Sequence, residues 1–155
     1  MRFTKMHGLG NDYVYIDAIA DPALATMEWS TLAPALSDRH RGVGGDGVII
    51  IGAPQDLRHH ARMRTFNADG SEAEACGNGT RCVARYLRER SGMDAPVLLI
   101  ESGARVVDCE PLGDEQIRVG MGVPGLTHVD CGVFAEELQD TEPDQIEVDG
   151  NPLRF

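Results

Sequence analysis

The sequence predicts an α+β fold for residues 1–120, on three observations. Short β-branched runs such as Val48-Ile49-Ile50-Ile51 read as strands, Gly79–Arg90 carries apolar residues at helical spacing, and three strand-like segments between Val97 and Met121 are separated by glycine turns. The opening Phe3–Met6 and the run Tyr13-Val14-Tyr15-Ile16 are two further strands. Between them His7-Gly8-Leu9-Gly10-Asn11-Asp12 has the composition of a turn.

Ser30–His40 offers a capping Ser followed by Leu32, Ala35 and Leu36, which predicts a short helix with Pro34 in its first turn. A glycine-dense loop, Arg41–Gly47, then leads into the continuous apolar run Val48–Ile51, suited to a strand buried on both faces. Arg62–Phe66 continues as a strand. Cys82, Val83, Tyr86 and Leu87 give the Gly79–Arg90 helix its apolar stripe, and Ser91-Gly92 supplies its stop. Val97–Glu101, Arg105–Cys109 and Gln116–Met121 follow as a meander turned at Ser102-Gly103 and Gly113-Asp114. Beyond residue 120 the pattern weakens through Pro124-Gly125 and the acidic Glu136–Asp149, with a strand-like end at Leu153-Arg154-Phe155. Residues 121–155 are therefore read as a crossover and the start of a second unit.

Composition narrows the function. The 155 residues are 42% hydrophobic and 25% charged, which is ordinary for a globular protein. A net charge of -11, from 14 basic and 25 acidic residues, has the wrong sign for nucleic acid or an anionic membrane. No apolar run reaches the ~18–20 residues of a spanning helix, and the first residues lack the apolar core of a signal peptide, so a cytoplasmic protein is expected. In that compartment Cys76, Cys82, Cys109 and Cys131 are expected as free thiols. With 18 glycines and few aromatics, function is expected in the glycine-dense loops.

The segment Cys76-Gly77-Asn78-Gly79 runs straight into the best helix. Unpaired amides and a positive dipole end make such a place receptive to a carboxylate and to a thiolate. Gly77 and Gly79 let backbone approach a ligand, and Asn78 adds an amide donor. A buried filler, a metal ligand and a redox thiol are rival readings of Cys76. The five residues between Cys76 and Cys82 do not match structural zinc spacing, and among the His residues only His7 lies in a loop suited to activating a nucleophile. These residues alone leave a catalytic and a structural thiol both open. Cys82, on the helix stripe, reads as core; His59-His60 reads as a solvated loop; Asp46 reads as a turn former.

Three segments, in order, resemble the amino-terminal signatures of the diaminopimelate epimerase family. They are Phe3–Asp12, Arg39–Gly47, and Asn67-Ala68-Asp69-Gly70-Ser71-Glu72 with Cys76–Cys82. The resemblance covers residues 1–121. It implies a curled, largely antiparallel sheet wrapped around a central helix, one of two pseudo-repeated domains. It also implies interconversion of LL- and meso-diaminopimelate, on the route to lysine and peptidoglycan, without pyridoxal phosphate or metal. In that family one Cys thiolate takes the α-proton while a second Cys thiol delivers one to the opposite face.

Carried over residue by residue, Cys76 is one of the two catalytic thiols. Asn11 and Asn67 are substrate-binding positions, and Gly77-Asn78 is part of the α-carboxylate cradle. Preorganised N–H donors are what a carbanion beside a carboxylate needs. Some members carry Gln where this chain has Gly47, so the resemblance implies no side-chain contact from that position. Cys82, on the apolar stripe, is not the second thiol. The family places that Cys in a carboxy-terminal domain, and the chain is expected to be an amino-terminal half, inactive alone and compatible with a homodimer. A proline racemase-like isomerase, and a non-catalytic thiol redox or ligand-binding module, are the alternative readings.

Overall fold

A computed structural model of the chain describes residues 1–113 and 116–122, together with the backbone of Gln145–Val148 and Asn151–Arg154. Met1–Met121 forms one compact unit and Gly122–Phe155 a second. In the first, β1 (Thr4–Gly8), β2 (Asn11–Asp17), β3 (Gly47–Gly52), β4 (Ala61–Asn67), β6 (Leu98–Ser102), β7 (Arg105–Pro111) and β8 (Ile117–Val119) lie side by side in that order. The short β5 (Glu72–Ala73) adds to β4. Five of the pairings are antiparallel; β2 with β3 and β4 with β6 are parallel, so the sheet is mixed. In the second unit β9 (Gln145–Val148) pairs antiparallel with β10 (Asn151–Arg154). The predicted features at Asp114, Pro124-Gly125, Cys131, Phe155 and most of the acidic stretch lie outside the described residues.

Helix α2 (Gly77–Ser91) touches β1 and also β7 and β8, strands at opposite margins of the sheet. A flat sheet cannot bring both margins to one helix, so the sheet curls around α2. Side-chain alternation along the strands sorts the apolar residues into two cores. Tyr13, Tyr15, Ile49, Ile51, Met63, Leu98 and Ile100 face inward onto Cys82, Val83 and Leu87 of α2. Val14, Ile16, Val48, Ile50 and Phe66 face outward, onto Trp29 and Ala33 of helix α1 (Trp29–Ser37). Strands β2 and β3 are thus covered on both faces, which is why Val48–Ile51 shows no polar alternation.

Two helix boundaries differ from the expectation. Helix α1 begins at Trp29 rather than behind a Ser30 cap; Glu28 is the N-cap without a side-chain bond, and Pro34 lies inside the helix. Burial of the Trp29 indole, whose Nε1 donates to the Leu24 carbonyl at 2.7 Å, sets that start. Pro34 has no N–H to give Ser30, and the backbone of Gly70, at φ +89°, packs against that same carbonyl. Helix α2 starts at Gly77, two residues earlier than the apolar stripe predicts, and ends on Gly92 in the left-handed conformation at φ 65°.

The loop between β3 and β4 hangs on one buried carboxylate. Glu101 accepts from the amides of Gln55 and Asp56 and lies 2.9 Å from His59 Nδ1. Burial raises its carboxyl, but these amides and His59 outweigh it and hold the group below its ordinary 4.5. A depressed carboxyl stabilises the fold above its unfolded-state pKa, and that contribution disappears as pH falls through the folded-state value. Glu101→Gln should cost roughly 2 kcal/mol at pH 7 in urea unfolding, with the difference from the parent shrinking as pH is lowered below 4.5.

Candidate active site

Cys76 is the N-cap of α2, in extended backbone at φ -145° and ψ 95°. Its Sγ accepts from the Gly79 amide at 3.3 Å, and its carbonyl accepts from the Thr80 amide at 2.8 Å and the Thr80 hydroxyl at 2.9 Å. A sulfur therefore sits where Ser or Asp usually caps a helix. Gly79 is required there: a Cβ would collide with Ile49 Cδ1 and come within 3.1 Å of the sulfur itself. Gly77 and Asn78 are the first two helical residues, so their amides have no intrahelical acceptor. Cys76 is half-buried, with one side against the inner core. By contrast Cys82 and Cys109 are buried, and burial raises both thiols, Cys109 to about 12.

The helix start is held against the strand ends by close backbone approach. A Cβ on Gly8, at the end of β1, would lie 3.1 Å from the Asn78 carbonyl, so glycine there lets α2 dock on the first hairpin. That hairpin turns through Leu9 at φ 55° and Gly10 at φ 88°, and strand pairing continues to Gly8 and Asn11. The stretch predicted as a turn is thus mostly strand, with the turn itself confined to Leu9 and Gly10. His7 is exposed on β1 and is not hydrogen-bonded to Cys76; it lines the seam between β1 and β8, beside Arg81 and Cys82 of α2. The Asn78 side-chain oxygen accepts from Arg81 one turn on.

Asp46 proves to be more than a turn former. Its Oδ2 accepts from Asn11 Nδ2 at 3.1 Å and from the Asp12 amide at 2.9 Å; its own amide donates to the Asp12 carbonyl at 2.7 Å; its carbonyl accepts from Ala68 at 3.1 Å. One residue thereby joins the three glycine-bearing segments. Arg39 adds an ion pair at 2.9 Å to Asp46 and one at 2.6 Å to Asp12, and Lys5 bonds the Gly44 carbonyl and lies 2.8 Å from Asp12. The Arg39 guanidinium, and then Lys5, hold the Asp12 carboxyl far below the usual carboxylate range.

Asn67 ends β4 directly across from Gly47 and starts a turn, its carbonyl accepting from Gly70 at 2.9 Å and its side-chain amide donating to Ser71 Oγ at 2.9 Å. Asn11, Asn67, Gly77 and Asn78 are all half-buried. A cavity of about 590 Å³ lies elsewhere, in the seam between β1 and β8, and is lined by residues including Leu9, Arg81, Cys82 and Ile117. His59 and His60 are engaged by Glu101 and the Leu99 amide, and no cluster among the described residues could hold a metal ion. The sequence reading missed Tyr13, whose ring covers Gly47; only the strand register reveals it.

The diaminopimelate epimerase family model matches residues 3–127. A protein of Teredinibacter turnerae named diaminopimelate epimerase is 42% identical over 147 residues, 95% of this chain and 52% of that one. One of the same name from Halorhodospira halophila is 47% identical over 127 residues, 81% of this chain and 43% of that one. The chain therefore spans about half the length of the curated relatives it matches. Among solved structures, a hydroxyproline epimerase from Agrobacterium vitis has a TM-score of 0.54 at 16% identity, over 76% of this chain and 40% of that one, which establishes a shared fold.

Asp46→Ala removes the acceptor that fixes Asn11. It should cost roughly 2 kcal/mol in denaturant unfolding, and the Asn11 side-chain amide resonances should move toward random-coil positions. Gly79→Ala should destabilise by about 1–3 kcal/mol through overpacking against Ile49 and Cys76, measured in the same way.

Proposed function

Since this chain belongs to the diaminopimelate epimerase family, we propose that it carries one half of the acid/base machinery that interconverts LL- and meso-diaminopimelate. One observation carries the reading above the others: the Cys76 sulfur caps the same helix whose first two amides, on Gly77 and Asn78, are left open. A carboxylate bound at those amides places its α-carbon beside the sulfur, and the helix dipole favours the negative charge that gathers there. As thiolate, Cys76 takes the α-proton and becomes a thiol. As thiol, in the reverse direction, it returns that proton and becomes a thiolate.

The carbanion formed in between delocalises into the carboxylate, so the amides that bind the ground state hold more charge in the transition state. In this reading Asn11, bonded to Asp46, and Asn67, opposite Gly47 at the end of β4, hold the rest of the substrate. Inversion needs a second acid on the opposite face. Among the described residues Cys82 and Cys109 are buried in the core and cannot reach it; in this reading the partner thiol belongs to the carboxy-terminal domain that the family resemblance implies. The relatives' greater length supports that division. Unpaired Cys76, Cys82 and Cys109 support a cytoplasmic setting.

In the full-length protein Cys76→Ala should reduce α-proton exchange from LL-diaminopimelate in deuterium oxide by about 10²–10⁴-fold. Near-normal exchange would overturn the assignment. The 155-residue chain by itself should show no exchange.

A further inference from the structure

Strand β4 ends on Asn67, which follows Ala61 and Met63 on the inner face of the sheet. The chain then turns back through residues 67–71 into β5. The backbone of that turn is held without help from any hydroxyl. The Asn67 amide donates to the Ser71 carbonyl at 2.8 Å, the Gly70 amide to the Asn67 carbonyl at 2.9 Å, and the Ala68 amide to the Asp46 carbonyl at 3.1 Å. Gly70, at φ +89°, is pressed against the Ser30 carbonyl of α1, where a Cβ would not fit. Asp69 and Ser71 are exposed, whereas Asn67 is half-buried.

The Ser71 hydroxyl is bonded to two side chains of the turn, and counting hydrogens fixes the direction of both bonds. It lies 2.6 Å from Asp69 Oδ1, an oxygen that also accepts from the Ser71 amide at 2.9 Å. An ionised carboxylate can only accept, so the single hydroxyl hydrogen goes to Asp69. The Ser71 hydroxyl, and then its amide, hold the Asp69 carboxyl below its ordinary 3.8, which keeps it ionised at neutral pH. With its hydrogen spent, Ser71 Oγ can only accept from Asn67, and the group facing it at 2.9 Å must be Nδ2. An Asx turn accounts for the bond to the Ser71 amide. It does not account for a hydroxyl aimed back at the end of β4.

Asn11 obeys the same rule, since its Nδ2 lies 3.1 Å from Asp46 Oδ2, which cannot donate. Both asparagines thus have their NH2 side fixed by a carboxylate, Asp46 directly and Asp69 through Ser71. Among the described residues nothing donates to the Oδ1 of either. Resting on the reading of these asparagines as substrate-binding positions, we propose that Ser71 and Asp69 are positioning residues of the reaction. Asp69 takes the Ser71 hydrogen, Ser71 takes an Asn67 hydrogen, and Asn67 is left presenting its oxygen to an ammonium group of the substrate. Without the hydroxyl, Asn67 is free to turn its NH2 to the ligand, where it opposes an ammonium. The open amides of Gly77 and Asn78 then serve a carboxylate and the asparagine oxygens serve nitrogen, so donors and acceptors are set apart before the substrate arrives.

The test is steady-state epimerisation of LL-diaminopimelate by the full-length protein and its Ser71→Ala and Ser71→Thr variants, together with competitive inhibition by pimelate, which keeps both carboxylates and lacks both ammonium groups. Ser71→Ala should raise KM about tenfold, the effect of one hydrogen bond lost at a charged group, with kcat within about twofold of the parent. Its inhibition constant for pimelate should not change. Its urea midpoint should stay at the parent's, because the hydroxyl bonds nothing outside the turn. Ser71→Thr keeps the hydroxyl and should restore KM. An unchanged KM in Ser71→Ala, a pimelate constant that rises with KM, or a Thr variant no better than Ala would overturn the assignment. A parent that does not epimerise LL-diaminopimelate would instead sink the reading of the site on which it rests.

Discussion

The docking of the α2 N-terminus against the ends of β1, β2 and β3 is the constraint on which the rest of the molecule depends. A helix start is electrically useful only if its first amides stay unpaired and reachable, yet a helix is stable only if most of its length is buried. Here the two demands are met at opposite ends of one element. Val83, Ala84 and Leu87 anchor the body of α2 in the inner core, while Cys76, Gly77 and Asn78 remain half-buried. Glycines at 8 and 79 allow the approach, the first because the Asn78 carbonyl comes so near and the second because Ile49 and the Cys76 sulfur leave no room for a side chain.

A second tier holds the segments around that helix start. Asp46 bonds the first hairpin through Asn11 and Asp12 and the β4 turn through Ala68, while Lys5 and Arg39 neutralise the resulting pair of carboxylates. The paired side chains are between one-fifth and about one-half exposed, so no single ion pair is strong. Their value lies in geometry. The carboxylate and backbone of one residue gather groups from three distant stretches, with the Asn11 amide held on the carboxylate.

Much of this was legible in the sequence, and the parts that were not have physical reasons. Periodicity located β3, β4, the meander and the body of α2, because burial on one or two faces writes itself directly into apolar spacing. The curl did not follow from spacing; it depends on both sheet margins reaching α2, a tertiary fact that only the family resemblance anticipated. The α1 boundary went wrong because a buried Trp29 outweighed the capping preference of Ser30 and the first-turn preference of Pro34. The α2 start was placed late because Gly77 and Asn78 carry no apolar signal. Asp46 and Tyr13 were passed over for a common reason: their partners lie across parallel or loop-mediated pairings, where sequence separation hides contact. The juxtaposition of Tyr13 with Gly47 exists only in the β2–β3 register.

Curling a sheet part of the way around a helix without closing it leaves two bare margins, and this has a cost beyond the site. Strand β1 pairs only with β2, and β8 only with β7, so among the described residues each keeps one side free of strand partners. Open strand margins recruit strands from other molecules, and natural proteins blunt them with charge and brevity. β8 is only three residues long and carries Arg118, paired with Glu110 at 2.6 Å, while β1 carries Lys5. Among the described residues, those charges and the brevity of β8 are what the two margins themselves set against strands of other molecules, beside the repulsion of a net charge of -11.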